Sequence, residues 1–178
     1  MDDIVRQAMA KWPDVPACFG WLGLDSRGNW YMRDDRAQAL GAFDSGVPGS
    51  KGALLQHGKL IDFIGRNYAC DTQGRWFFQN GPQRVFVELE ATPLVWRIQP
   101  DLRVYDHIGR AARVSTAWVD EPGHLYLEAD LGFGLVHSQD VALAADALER
   151  GDWLLQSLKR DSLSQRFAYQ KSPKMIGN

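Results

Sequence analysis

The stretch CDTQGRWFFQN at 70–80 repeats, slot by slot, the chemistry of LDSRGNWYMRD at 24–34. Aligned on Asp25 and Asp71, which lie 46 residues apart, the two copies pair Gly28 with Gly74, Trp30 with Trp76, Tyr31 with Phe77 and Met32 with Phe78. A third stretch, DEPGHLYLEAD at 120–130, fills the same slots with Asp120, Gly123, Leu125, Tyr126 and Leu127. Asp at the first position and Gly at the fourth are what a type I turn favours, and the β-prone residues that come after extend it into a strand. Units of this length fall in the range where repeats stack on a shared core, so the chain is held to a β-rich fold.

Side chains on a strand alternate between faces, so the fifth and seventh residues after each Asp share one face and the sixth and eighth share the other. The first set is Trp30 and Met32, Trp76 and Phe78, Leu125 and Leu127, expected on the core side. The second is Tyr31 and Arg33, Phe77 and Gln79, Tyr126 and Glu128, expected on a partly covered outer face. Packing is the commoner fate of such aromatics, and lining a ligand site is the alternative.

Around these hairpins the pattern predicts helices over 2–12, where Pro13 stops the first, and over 54–68, weakened at Gly58 and Gly65. A third helix should start at Ser138 as N-cap and close at Gly151, and Asp152 should cap one more helix through Leu158. The Gly, Pro, Ser and Asp run at 41–52 reads as a mobile surface loop. Strands are expected over 85–90, after the turn dipeptide Asn80-Gly81, and over 94–98, 102–105, 113–119, 124–129 and 133–136. The tail, SLSQRFAYQKSPKMIGN, has no strong pattern and is expected to fray.

A formal net charge of −2 without a clustered basic run argues against nucleic acid or an anionic membrane surface as partner. Cys18 and Cys70 form no CxxC pair, and a chain of 178 residues can bury a core without a disulfide, so reduced thiols and a cytoplasmic location are expected. The N-terminus lacks the layout of a signal peptide, and no apolar run approaches the roughly 20 residues of a membrane span.

The chemistry-bearing residues show no spaced motif. His57, His107, His124 and His137 match no metal pattern, and His124 and Glu128 would lie about 13 Å apart on a strand, too far for one metal. His137-Ser138-x-Asp140 is better read as a helix start than as a triad. There is no dinucleotide loop, P-loop or nucleophile elbow, so no catalytic residue, metal or cofactor is assigned. The best blend of apolar and orienting groups is Trp76 and Phe77 with Asn80, Arg84 and Arg66, read as a ligand-binding surface between two β units because an arginine fork can grip an anion.

The segments WYMRDD, RNYACDTQGRWFFQNGPQRVFVELE and GLVHSQDVALAADALERG resemble uncharacterised proteobacterial proteins classed as a family of unknown function. The Asp-x-x-Gly-x-Trp-aromatic phrase also resembles a second such bacterial family, built from two related β-rich units and suggested to bind ligands or act in signalling. These likenesses imply a duplicated β-rich fold and transfer no catalytic residue. The expectation is an α+β protein of two similar β-rich units with flanking helices and a C-terminal helical segment, divided into 1–69 and 70–178. Its expected role is a non-enzymatic module binding a small anionic ligand or a protein; a hydrolase-like enzyme whose site assembles only in the fold is the alternative.

Overall fold

In the computed structural model, which describes residues 1–174, the chain alternates short helices with thirteen strands. It begins with α1 (Asp3–Lys11), the hairpin of β1 (Cys18–Leu24) and β2 (Trp30–Met32), α2 (Asp35–Ala39) and β3 (Ala53–Leu54). Next are α3 (Gly58–Arg66), β4 (Tyr68–Cys70), β5 (Trp76–Asn80) and β6 (Gln83–Leu89). These strands make one sheet in the order β3-β2-β1-β6-β5-β4, in which β1 and β6 run parallel.

A second sheet is built from β7 (Leu94–Ile98), β8 (Val104–Asp106), β9 (Ala111–Ala112), β10 (Val114–Val119), β11 (Leu125–Ala129), β12 (Gly132–Val136) and β13 (Leu155–Ser157). Their order is β13-β10-β11-β12-β7-β8-β9, with α4 (Val141–Glu149) and α5 (Leu163–Arg166) completing the chain. The fold is α+β with two β-rich units. Residues 1–25, 29–90 and 169–174 form one; residues 26–28 and 91–168 form the other.

The Asp-x-x-Gly phrase is a single turn used four times. At Asp71 the backbone N–H donates to the Arg75 carbonyl (3.0 Å) and Gly74 N–H donates to the Asp71 carbonyl (3.1 Å), while the Asp71 carboxylate accepts from Arg75 N (3.0 Å) and Nε (2.8 Å). This is a type I turn succeeded by a left-handed residue, and Gly74 at φ 75° supplies that conformation without a Cβ penalty. Asp120 with His124 repeats both halves of the device, the backbone exchange and the side-chain bond to the carboxylate. Asp25 repeats the N–H bond to the carbonyl four residues on, at Asn29, together with the bonds from Asn29 to its carboxylate. Asp106, Gly109 and Arg110 make a fourth instance that the repeated phrase does not announce, with Arg110 Nε 2.7 Å from the carboxylate. A fifth turn, Gln99 to Arg103, keeps the backbone bonds but places Leu102 at φ 65°.

The strands behind the turns depart from simple alternation. Trp30 is 2% exposed, yet Met32, expected beside it in the core, is 46% exposed. Arg33 and Gln79, expected on an outer face, are buried at 4% and 1%. The first sheet is covered on both faces. On one, Tyr68 meets Trp30 edge-on (5.2 Å) and Trp76 (4.8 Å), and α3 delivers Phe63 against Phe78 (5.4 Å); on the other, Phe86 stacks on Phe19 (4.6 Å). Arg33 is tolerated inside because its guanidinium donates to the carbonyls of Ser50, Gly20 and Gly41. Those bonds also tie down 41–52, expected as a mobile loop, where Phe43 and Ser50 are buried.

Three further expectations are corrected. Residues 152–158 are not helical, because β13 completes the sheet by pairing in parallel with β10, and that tertiary pairing outweighs the local helix signal. Asp140, not Ser138, stands at the N-cap of α4, and its carboxylate accepts from Arg97 Nε (2.6 Å) and Ile98 N (3.1 Å). Gly151 does close that helix: its N–H donates to Leu148 and Asp152 N–H to Ala147, a Schellman pair. The tail is held: Phe167 stacks on Phe133 (3.6 Å), Tyr169 is buried, and Leu89 N–H donates to the Lys171 carbonyl (2.7 Å). Residues 175–178, part of the stretch expected to fray, lie outside the described residues.

Candidate functional site

β5 and β6 meet in a tight hairpin at Gly81 and Pro82, with Gln79 paired to Arg84 and Phe77 to Phe86. Directly paired residues project from the same face, so Phe77, Gln79, Arg84 and Phe86 form one surface, while Trp76 and Asn80 project from the other. Beside this hairpin, Met9 of α1, Trp12 at the C-cap of that helix and Val15 of the next segment join Gln79, Pro82 and Arg84 around a cavity of about 360 Å³. That volume suits a small ligand, and the lining combines apolar walls with few polar groups.

Gln79 is the unusual member. Its backbone N–H donates to the Asn67 carbonyl (2.9 Å) and its Nε2 to the Gly81 carbonyl (2.9 Å). A carbonyl only accepts, so the nitrogen must lie on that side, and the remaining oxygen, Oε1, is buried with no hydrogen-bond partner among the described residues. An unpaired buried acceptor costs about 1–3 kcal/mol. Arg84 is exposed; its guanidinium lies over the Phe77 ring (4.7 Å to the centroid) and makes no ion pair among the described residues. The aromatic face holds the charge in place without neutralising it.

Of the residues read from sequence as a site, the structure brings Arg84 to the cavity with Phe77 beneath it. Trp76 packs against Tyr68 on the opposite face, Asn80 is exposed opposite Gln83, and Arg66, at the end of α3, pairs with Asp2 (3.3 Å). Gln79 and α1 are members that the sequence pattern did not point to. Gln79 occupies an eighth-slot position expected to face outward, and only coverage of both sheet faces reveals its burial.

Elsewhere the titratable groups are engaged in structure. Burial pushes the Asp120 carboxyl up, but the Tyr126 hydroxyl (2.8 Å) and the backbone and ring of His124 outweigh it and hold the group below its ordinary value. Burial, with Asp71 adding to it, raises the Cys70 thiol to about 11, and burial raises Cys18 as well; both are free thiols. Neither is primed as a thiolate nucleophile. Among the described residues there is no cluster of three His, Cys, Asp or Glu able to hold a metal, and no helix is long and apolar enough to cross a membrane.

Two β-rich units with small helices define an α+β protein whose candidate site has no assigned chemistry. The model of the family DUF2944, described as "Protein of unknown function (DUF2946)", matches residues 1–176, and the chain belongs to that family, as the resemblance to proteins of unknown function implied. No curated protein matches it. Among solved structures it is similar to a DUF1285 family protein from Silicibacter pomeroyi DSS-3, at 11% identity over 82% of this chain and 84% of that one, with a TM-score of 0.49. It is also similar to a DUF1285 family protein from Shewanella baltica OS155, at 18% identity over 71% and 91% of the two chains, with a TM-score of 0.46.

Proposed function

We propose that this protein is a non-enzymatic binding module and that a small anionic molecule occupies the cavity between α1 and the β5–β6 hairpin. The observation that carries the reading is the pairing of Gln79 and Arg84 at that cavity: one presents a buried acceptor without a donor, the other a cation without a counter-ion. A ligand that donates an N–H or O–H to Gln79 Oε1 and offers a carboxylate or phosphate to Arg84 removes both deficits, while Met9, Trp12 and Val15 take its apolar part. The two free thiols fit a reducing cytoplasm, and the net charge of −2 speaks against nucleic acid as partner.

A thermal-shift screen against a metabolite library tests this, since a ligand that binds only the folded state raises the midpoint. An anionic hit is expected whose affinity falls at least tenfold in Arg84→Ala, the unliganded midpoint staying unchanged. Anionic hits bound equally by wild type and Arg84→Ala contradict the site. The second reading, a hydrolase-like enzyme, draws on the Asp120–His124 pair, in which a buried carboxylate orients a half-exposed imidazole. Among the described residues no hydroxyl or thiol nucleophile bonds that ring. Hydrolysis of p-nitrophenyl acetate abolished by His124→Ala would favour that reading.

A further inference from the structure

A second cavity, of about 410 Å³, opens beside α2 and β2 in the same β-rich unit, and it holds a different kind of unmet charge. Its lining includes Arg33, buried at 4% exposure. Arg33 Nε donates to the Ser50 carbonyl (2.8 Å), one terminal nitrogen to Gly20 (3.4 Å) and the other to Gly41 (2.6 Å), so three of five N–H groups are used and none meets a carboxylate. Carbonyl dipoles solvate the guanidinium but carry no net negative charge, and a buried cation without a counter-ion is costly. Glu88 feels this charge, which lowers its carboxyl against the larger, raising effect of burial, yet it forms no ion pair with Arg33 among the described residues. Arg36 also lines the cavity and is free of ion pairs among the described residues; Asp34, the one acid in the lining, uses its carboxylate to cap α2 through Ala37 N (2.8 Å).

Apolar surface surrounds these charges. Trp21, Met32 and Leu40 line the same cavity, and each leaves a large hydrophobic side chain in water. Grouped exposed apolar side chains around a cavity mark a binding surface, whereas singly scattered ones need no explanation. Met adds adaptability, because its flexible thioether fits apolar partners of varied shape.

We propose that this cavity binds a small amphiphilic acid, its carboxylate held by Arg33 and Arg36 and its apolar chain lying against Trp21, Met32 and Leu40. The inference does not rest on the Gln79 cavity. A free amphiphile is chosen because the cavity has the volume of a small-molecule site and its cation is sunk in the protein, where a planar membrane headgroup layer cannot reach it.

The test monitors the ¹³C-methyl resonances of the protein's four methionines, Met32 being assigned with Met32→Leu, during titration with decanoate below its micellar concentration. Decanoate is expected to move the Met32 methyl saturably, and 1-decanol to bind at least tenfold more weakly. Arg36→Ala should weaken decanoate at least fivefold and Leu40→Asp should abolish saturation; both positions are exposed, and the thermal midpoint should hold. Equal binding of decanol and decanoate, an unmoved Met32 methyl, or unchanged affinity in both variants overturns the proposal. So does cosedimentation with phosphatidylglycerol vesicles when free decanoate leaves Met32 unmoved, which would assign the patch to a lipid surface.

Discussion

Arg33, Gln79 and Glu128 each stand eight residues beyond the aspartate of their own turn, and their fates differ between the two β-rich units. In the second unit Glu128 is half-buried and accepts from Trp118 Nε1 (3.3 Å), an ordinary satisfied position. In the first unit Arg33 and Gln79 are buried and each lines a cavity; among the described residues Arg33 forms no ion pair and Gln79 Oε1 has no donor. The turn is shared architecture. The residues at the eighth slot in the first unit depart from the rule that buried polar groups are satisfied, and such departures concentrate where a protein works.

The largest test of this contrast concerns the core slot. Trp30→Ala is expected to destabilise by about 3–5 kcal/mol, the range for a fully buried large aromatic, whereas Trp76→Ala, half-buried, should lose roughly half as much. Equal losses in urea unfolding would show that the two copies are packed alike.

Next come the turns, which should behave alike across the units. The Asp106 carboxylate accepts from Ile108 N, Arg110 N and Arg110 Nε at 1% exposure, so Asp106→Ala should cost about 2–3 kcal/mol. Asp71 and Asp120 share a pH signature. Burial raises both carboxyls, but hydrogen bonds from Arg75 and Gln73 in one, and from Tyr126 and His124 in the other, lower them below the ordinary 3.8. Their contribution is complete above that value and is lost as pH falls through the depressed folded value, because there the unfolded chain binds more protons. Asp71→Asn and Asp120→Asn should each flatten the acid limb of stability against pH; a change in only one would separate the turns.

A smaller effect sharpens the eighth-slot comparison. Gln79→Met removes the orphan oxygen along with one good hydrogen bond and should be neutral or stabilising, while Glu128→Met loses the Trp118 partner and should cost about 1 kcal/mol. The reverse order would mean that Gln79 is satisfied. The smallest effect lies at Leu102, whose left-handed backbone stands where the four Asp turns have glycine. Leu102→Gly should stabilise by less than about 1 kcal/mol, since strain relief is partly offset by glycine's greater unfolded freedom. A loss would show that Leu102 packing outweighs its strain.

The hairpins were legible in the sequence because their signals are local. Asp and Gly three residues apart define the turn whatever surrounds it, and Asp120 proved to be the same device as Asp25 and Asp71. The turn at Asp106 escaped notice because Ala111 and Ala112 come after Arg110 where the other copies carry large apolar residues. Long-range pairing was illegible: nothing within 152–158 announces that β10 has an open edge. The candidate site was half legible. Arg84 and Phe77 declared themselves as a cation and an aromatic on a strand, but the burial of Gln79 and Arg33 depends on α1 and on 41–52 folding over the second face of a sheet, which alternation alone assigns to water.

The central claim is that the eighth-slot residues of the first unit serve ligands. It is tested most directly by a ¹H–¹⁵N correlation spectrum of the full chain recorded with and without an anionic hit from the thermal screen. The Gln79 side-chain amide, the Arg84 Nε–H and the Trp12 indole N–H should shift together and saturate at one affinity, while the Trp118 indole beside Glu128 stays fixed. Shifts confined to the second unit, or a Gln79 amide unmoved at saturation, would contradict the account.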